Sequence, residues 1–425
     1  MIIAYKLLVT SVMQPLWSSH TSKPLMADAN TMTETTASME DSATEAWISL
    51  ADTDYSANEL SAIGVVLKRT TQVDGHISKA FETSFAAYLG RRHAIAVSGG
   101  TIGMLLVLKA AGIGNGDEVI TSGYSWRQSA HAIAWAGATP VLADIDYWSQ
   151  TLSPDKAEAK ITPKTRAILA TNVNGHPADW DKLKALAKKA GIVLIEDATE
   201  SIGSRYQGKL VGSFGDVAVF DFSQFSPLCC GQAGMIVTDD DTLALKIRHF
   251  RSRQHHERAS LTATLRPPLD AGISEITAAL GLVQLQRLPE ILAKRKQVEA
   301  WYQAQISSFE GIKPPYIAPG VDEVHWFLYT VHLGTRFSAS SRDALVDDLE
   351  TELVESSAYC QPLHLQRAYI EEYGYRKGDL KVTEKVADRA IALPFHGQIS
   401  ENQVEFIVKT AKDASINVGA GAAIY

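Results

Sequence analysis

The 425-residue chain has little cysteine, no excess of basic residues and no long apolar run, and each shortage closes off a class of protein. Only Cys229, Cys230 and Cys360 occur, an odd number without paired spacing. No disulfide framework is therefore expected, and a reducing compartment, the cytoplasm, is the expected location. The formal net charge of −8 argues against a broad face that neutralises nucleic-acid phosphates, so no nucleic-acid partner is expected. The apolar stretch from Met1 to Met13 is interrupted by Lys6 and is too short to span a bilayer, so no membrane partner is expected either; a weak signal peptide is the alternative. Residues 19–45 are rich in Ser, Thr, Ala, Met and acids and show no apolar period. Residues 1–45 therefore read as a disordered leader, with Met26 as a second candidate start.

What is present is the material of a large core: 46% hydrophobic and 21% charged residues in a chain long enough for two domains. From Trp47 onward, helices alternate with short apolar runs, the pattern of parallel strands joined by crossover helices. Helices are expected over 58–70, 77–89, 127–137 and 179–190. Strands are expected at Ala94–Val97, Glu118–Thr121, Thr139–Asp144, Ala167–Thr171 and Ile192–Asp197. Apolar runs at Ala218–Phe220 and Met235–Thr238 predict a hairpin that closes the sheet. The expected fold is α/β, with a large doubly wound, mostly parallel sheet over residues 46–290. Residues 291–425 are expected to hold a smaller C-terminal α+β domain, reached by a long helix, Leu288–Phe309. That domain is predicted to have a strand at 327–331, helices at 341–354 and 401–414, and a frayed tail from 418.

Three segments carry chemistry. Ser98-Gly99-Gly100-Thr101-Ile102 follows a strand and opens a helix, where backbone amides can meet an anion, although any tight turn looks similar. Glu196-Asp197-Ala198-Thr199-Glu200-Ser201 ends a strand where open α/β sheets bind ligands; Asp197 also reads as a helix N-cap. Trp126, after another strand, is either a core residue or a stacking face. The order and spacing of these segments continue into Asp221-Phe222-Ser223-Gln224-Phe225-Ser226 and Gly231-Gln232-Ala233-Gly234, then into Cys360-Gln361-Pro362-Leu363-His364 and Leu393-Pro394-Phe395-His396. Across about residues 46–415 the chain resembles the DegT/DnrJ/EryC1/StrS sugar aminotransferases of the fold type I pyridoxal-phosphate superfamily.

The resemblance implies a seven-stranded sheet like that of aspartate aminotransferase and a homodimer with shared sites. It assigns Gly100, Thr101 and Ile102 to a cofactor phosphate, Trp126 to the face of a pyridine ring, and Asp197 to the pyridine nitrogen. It places His364 and His396 near the substrate end. Aligned through Gly231 and Gly234, however, Ser226 stands at the position of the Schiff-base lysine, and a hydroxyl forms no imine. Asp221 stands where the family has a phosphate-binding serine. Two unit charges about 4 Å apart repel by about 4 kcal/mol at intermediate dielectric, roughly three orders of magnitude in affinity. Asp270 and Gly272 replace an asparagine and an arginine, and Lys209, on a surface turn, is a poor substitute amine.

The expectation is a divergent member that holds pyridoxal or pyridoxamine phosphate noncovalently at best, or none, and binds a small-molecule ligand in the cleft. A pyridoxamine- or pyridoxal-dependent enzyme acting on a keto-sugar is the alternative, with Glu200 and Ser226 as candidate catalytic residues that shuttle a proton. A regulatory or scaffold subunit paired with a paralogous chain is a third. Cys229 and Cys230 read as small buried residues or as reactive thiols. His249, His255 and His256 form a solvated loop or a loose ligand set, and no metal site is expected.

Overall fold

The computed structural model describes residues 47–68, 75–252, 269–307 and 311–422; the expected leader and His255 and His256 lie outside them. Helix α1 (Ala57–Leu67) opens on a capping box in which Ser56 and Glu59 satisfy each other's backbone amides. Helix α2 (His76–Leu89) opens on Gly75, which brings no side chain. Its first amides, of Ile77 and Ser78, donate instead to the distant Glu275 carboxylate at 2.9 and 3.0 Å. Then β1 (His93–Val97), α3 (Gly100–Ala110), β2 (Glu118–Ser122), α4 (Arg127–Ala136), β3 (Thr139–Ala143), α5 (Pro154–Glu158), β4 (Thr165–Thr171), α6 (Trp180–Ala190) and β5 (Val193–Asp197) alternate along the chain. Short strands β6 (Arg205–Tyr206) and β7 (Lys209–Leu210) precede the hairpin of β8 (Val217–Asp221) and β9 (Gly234–Thr238), after which come α7 (Asp241–Arg251) and α8 (Glu275–Ile306).

The main sheet has seven strands in the order β1-β9-β8-β5-β4-β2-β3. The β3, β2, β4, β5 and β8 pairings are parallel, and β9 runs antiparallel to both its neighbours. The predicted hairpin is present, but it does not close the sheet. Every residue of β9 is buried, so it needs a strand on each side, and β1 forms the edge beyond it. At the opposite edge, β3 accommodates Pro140, which has no N–H to give an outer neighbour. Strand alternation splits the core: Ile95 and Val97 pack with Met104 and Leu108 of α3 on one face, and Ala94 and Ala96 pack with Phe81 and Phe85 of α2 on the other.

The C-terminal residues build a smaller α+β layer. Its elements are β10 (Ile312–Lys313), β11 (Val321–Glu323), β12 (Tyr329–Leu333), α9 (Ala339–Thr351), β13 (Ser357–Ala358), α10 (Arg367–Tyr373), α11 (Lys381–Ala387), β14 (Ala390–Leu393) and α12 (Glu401–Ala422). Strands β10, β12, β14 and β13 form an antiparallel sheet over a core that includes Tyr302, Tyr329 and Phe395. Three boundaries differ from expectation. Helix α8 starts at Glu275, capped by Ser274, and carries Pro289 in its interior, so residue 290 lies within one continuous helix. The expected strand at 327–331 is found at Tyr329–Leu333, and α12 continues through the expected frayed tail to Ala422.

One side chain ties this layer to the end of β3 and another ties it to α8. Asp144, just past β3, accepts the Val382 and Thr383 amides at 3.0 and 2.8 Å and so caps α11. Arg295 of α8 donates to the carbonyls of Trp326, Phe327 and Phe395 at 2.8, 2.7 and 3.0 Å. Among the described residues no helix is long and apolar enough to cross a membrane.

At Gly234 a Cβ would stand 2.7 Å from the Phe220 carbonyl oxygen and 2.8 Å from the Gly99 carbonyl carbon. Both neighbours are backbone and cannot swing away. Gly234→Ala is expected to lower stability in urea unfolding by about 3 kcal/mol, whereas Gly272→Ala, which meets nothing, changes it by less than about 0.5 kcal/mol.

Candidate functional site

The carboxyl end of β8 brings Asp221 to the first turn of α3, and the carboxyl end of β5 carries Asp197, with Glu200 three residues on. Gly99, before that helix, offers no side-chain cap. The cap comes from β8 instead: the Gly100 amide donates to Asp221 Oδ2 at 2.7 Å, while Oδ1 accepts from the Ser223 amide at 2.9 Å. A half-buried carboxylate thus sits on the positive end of α3, next to the half-buried Thr101 and Ile102. A Cβ on Gly100 would lie 3.0 Å from both Asp221 Oδ2 and Thr199 Cγ2, so this glycine lets three segments meet.

Asp197 ends β5 and is buried. Its Oδ2 accepts from Ser129 Oγ at 2.6 Å and Thr171 Oγ1 at 3.0 Å, and its Oδ1 from Thr199 Oγ1 at 2.7 Å and the Thr199 amide at 3.1 Å. All four acceptor positions of the carboxylate are filled. Burial pushes its pKa above the ordinary value, and these donors pull against that rise. Residues 198–201 form turns and no helix, which removes the N-cap reading.

Glu200, three residues on, is bound on one side only. Its Oε2 accepts from the Asn174 amide at 2.7 Å and from the Tyr359 hydroxyl at 2.5 Å, while its buried Oε1 has no hydrogen-bond partner. Burial raises its pKa to about 8 against the pull of Tyr359, Asn174 and the nearby Trp126 indole. Trp126 itself immediately precedes α4 and is 36% exposed, which places it at the surface of the site and not in the core.

The remaining candidates scatter. Ser226 is buried in a turn in which its amide donates to the Ser223 carbonyl at 2.9 Å. Asp270 is exposed and adopts a left-handed φ of 50°, a conformation that Asn and Asp tolerate. It is flanked by Ala271, whose carbonyl accepts from the Ser98 amide at 2.9 Å, so it borders the turn before α3. Lys209 is exposed on β7. Cys229 and Cys230 are buried; the Cys229 sulfur accepts from Tyr55 Oη at 3.3 Å, and burial pushes the Cys230 thiol up. His364 Nε2 pairs with Glu384 at 2.9 Å, His396 is buried, and His249 packs beside Phe250 on α7. Among the described residues no three His, Cys, Asp or Glu side chains converge as metal ligands. Sequence reasoning missed Ser129, Thr171, Asn174 and Tyr359 as members of the site, since none belongs to a local motif; Thr199 lies inside the 196–201 segment but was given no role there.

The seven-strand order, with the glycine turn and Asp197 at strand carboxyl ends, defines an aminotransferase-like α/β protein. The chain belongs to the DegT/DnrJ/EryC1/StrS aminotransferase family, whose model matches residues 53–412. It is 33% identical over 344 residues to the spore coat polysaccharide biosynthesis protein SpsC of Bacillus subtilis, covering 78% of this chain and 88% of the relative. It is 35% identical over 335 residues to GDP-perosamine synthase of Caulobacter vibrioides, covering 79% and 89%. Among solved structures, DesV of S. venezuelae, in complex with a ketimine intermediate, superposes with a TM-score of 0.77 at 32% identity over 84% of this chain and 94% of that one.

Two outcomes follow from this geometry. Asp221→Ser frees the Gly100 amide, so stability should fall by about 1 kcal/mol, and added inorganic phosphate should raise the melting temperature of the variant but not of the wild type. The second concerns pH. The Glu200 pKa rises from an ordinary 4.5 to about 8 on folding, so the folded chain keeps a proton that the unfolded chain releases. Its stabilisation is complete below pH 4.5, declines as pH rises toward about 8 and is flat beyond. Urea unfolding of Glu200→Gln should show a shallower decline across that window than the wild type; the buried Glu196 and Asp197, also raised, remain in both.

Proposed function

We propose that this chain is a DegT-family protein that binds a small carbonyl-bearing ligand, of the nucleotide-linked keto-sugar class, at the carboxyl end of its main sheet without forming an internal aldimine. The observation that carries this reading is the Asp221 carboxylate on the Gly100 amide at 2.7 Å. It places a fixed negative charge at the helix terminus that the family resemblance assigns to a phosphate dianion. Pyridoxal phosphate does not fit this residue set: Asp221 repels its phosphate, Ser226 has no amine for its aldehyde, and Asp197 has four donors already. The sugar class is supported by relatives named for polysaccharide biosynthesis and for GDP-perosamine. The proposed unit is a homodimer, with the exposed Asp270 at the edge of a shared site.

A second reading keeps pyridoxamine phosphate as a noncovalent cofactor. It is favoured by the placement of Asp197 and Trp126 at the positions that the resemblance assigns to the ring. Asp221 weighs against it, since pyridoxamine phosphate carries the same dianion.

Absorbance spectroscopy separates these readings from ordinary transaminase chemistry. Purified protein mixed with pyridoxal phosphate should show no aldimine band that borohydride abolishes, and calorimetry should detect no pyridoxamine phosphate binding at about millimolar concentration. The double variant Asp221→Ser with Ser226→Lys should gain the band, more strongly than Ser226→Lys alone. An aldimine band in the wild type would overturn the proposal.

A further inference from the structure

Glu200 is the one acid of the 196–200 segment with an oxygen left over. Its two close hydrogen bonds, from the Asn174 amide and the Tyr359 hydroxyl, converge on Oε2 and fix the carboxyl plane, while the buried Oε1 has no close partner and the Trp126 indole N–H lies nearby. A buried carboxylate oxygen without a donor is far more costly than a buried acid O–H, so the proton belongs on Oε1. The Tyr124 hydroxyl, within electrostatic reach of Glu200, is also buried without a partner. Glu200 and Tyr124 therefore leave two buried hydroxyl donors without an acceptor. Trp126, partly exposed beside Glu200, adds an aromatic face for an adjoining ring.

We propose that Glu200 is the specificity-determining hydrogen-bond donor of the cleft, an uncharged carboxylic acid that offers its Oε1 proton to the carbonyl oxygen of a keto-sugar. The assignment rests on the reading that the cleft takes a carbonyl-bearing ligand. It selects an acceptor oxygen and disfavours a cationic amine, which would require the acid to ionise. The groups that face Glu200 maintain this state: Asp197 from the same segment, Tyr124, Trp126 and Asn174 from neighbouring strand ends, and Tyr359 and Cys360 from the C-terminal layer. Asp197 is a like charge and the rest are neutral, while Arg342 acts on the Tyr124 phenol.

The test is calorimetric binding of a GDP-linked keto-hexose to the full chain from about pH 6 to about pH 10. Wild-type affinity should be constant at low pH and fall about tenfold per pH unit above about 8, as the donor is lost. Glu200→Gln, whose amide still donates, should bind within about threefold of wild type at neutral pH and lose the pH dependence, whereas Glu200→Ala should bind about tenfold more weakly. A flat wild-type profile, affinity that rises with pH, or no saturable binding at about millimolar probe would each overturn the proposal. Failure of the aldimine-free reading would appear separately, as a borohydride-sensitive absorbance band.

Discussion

The first turn of α3 needs something to accept its amides, and its own sequence supplies nothing. Gly99 and Gly100 carry no side chain there, and a Cβ on Gly100 would meet the Asp221 and Thr199 side chains at 3.0 Å. An acceptor must therefore come from outside the turn. Here it is Asp221, at the end of β8 and directly opposite Gly234 in the ladder. In the family pattern the same amides are assigned to a cofactor phosphate. The acid at 221 supplies the negative charge that the helix terminus favours.

Three buried acids within five residues show how environment separates roles. Glu196 accepts from Asn172, Gly212, Phe214 and Gly215 and clamps the loop before β8. Asp197 accepts four bonds from Ser129, Thr171 and Thr199. Both are saturated, and saturated carboxylates hold structure. Glu200 takes two bonds on one oxygen and none on the other, and that difference sets it apart from the other two. All three have raised pKa values, so the shift itself does not discriminate; the unpaired atom does.

The sheet was legible in the sequence because parallel strands buried on both faces are short, continuous apolar runs. What was not legible depended on pairing at a distance. That β1 flanks β9 at the edge is invisible until the ladder is known, and Pro289 inside α8 hid a helix that starts at Glu275. The site divides the same way. Gly100, Asp197 and Asp221 were singled out because each ends a strand or opens a helix within a recognisable segment. Tyr359 was not, since it reaches Glu200 from 159 residues away with no local signal.

The departures at 270 and 272 also gain a physical order on the proposed reading. Once Asp221 supplies the negative charge at α3, an asparagine or an arginine kept for a phosphate has no dianion to bind. Asp270 needs only a side chain that tolerates its left-handed φ of 50°, and an acid does so as well as an amide. At Gly272 a side chain would meet open space, so no packing contact is lost by having none. Neither change requires the other, and both are permitted by the first.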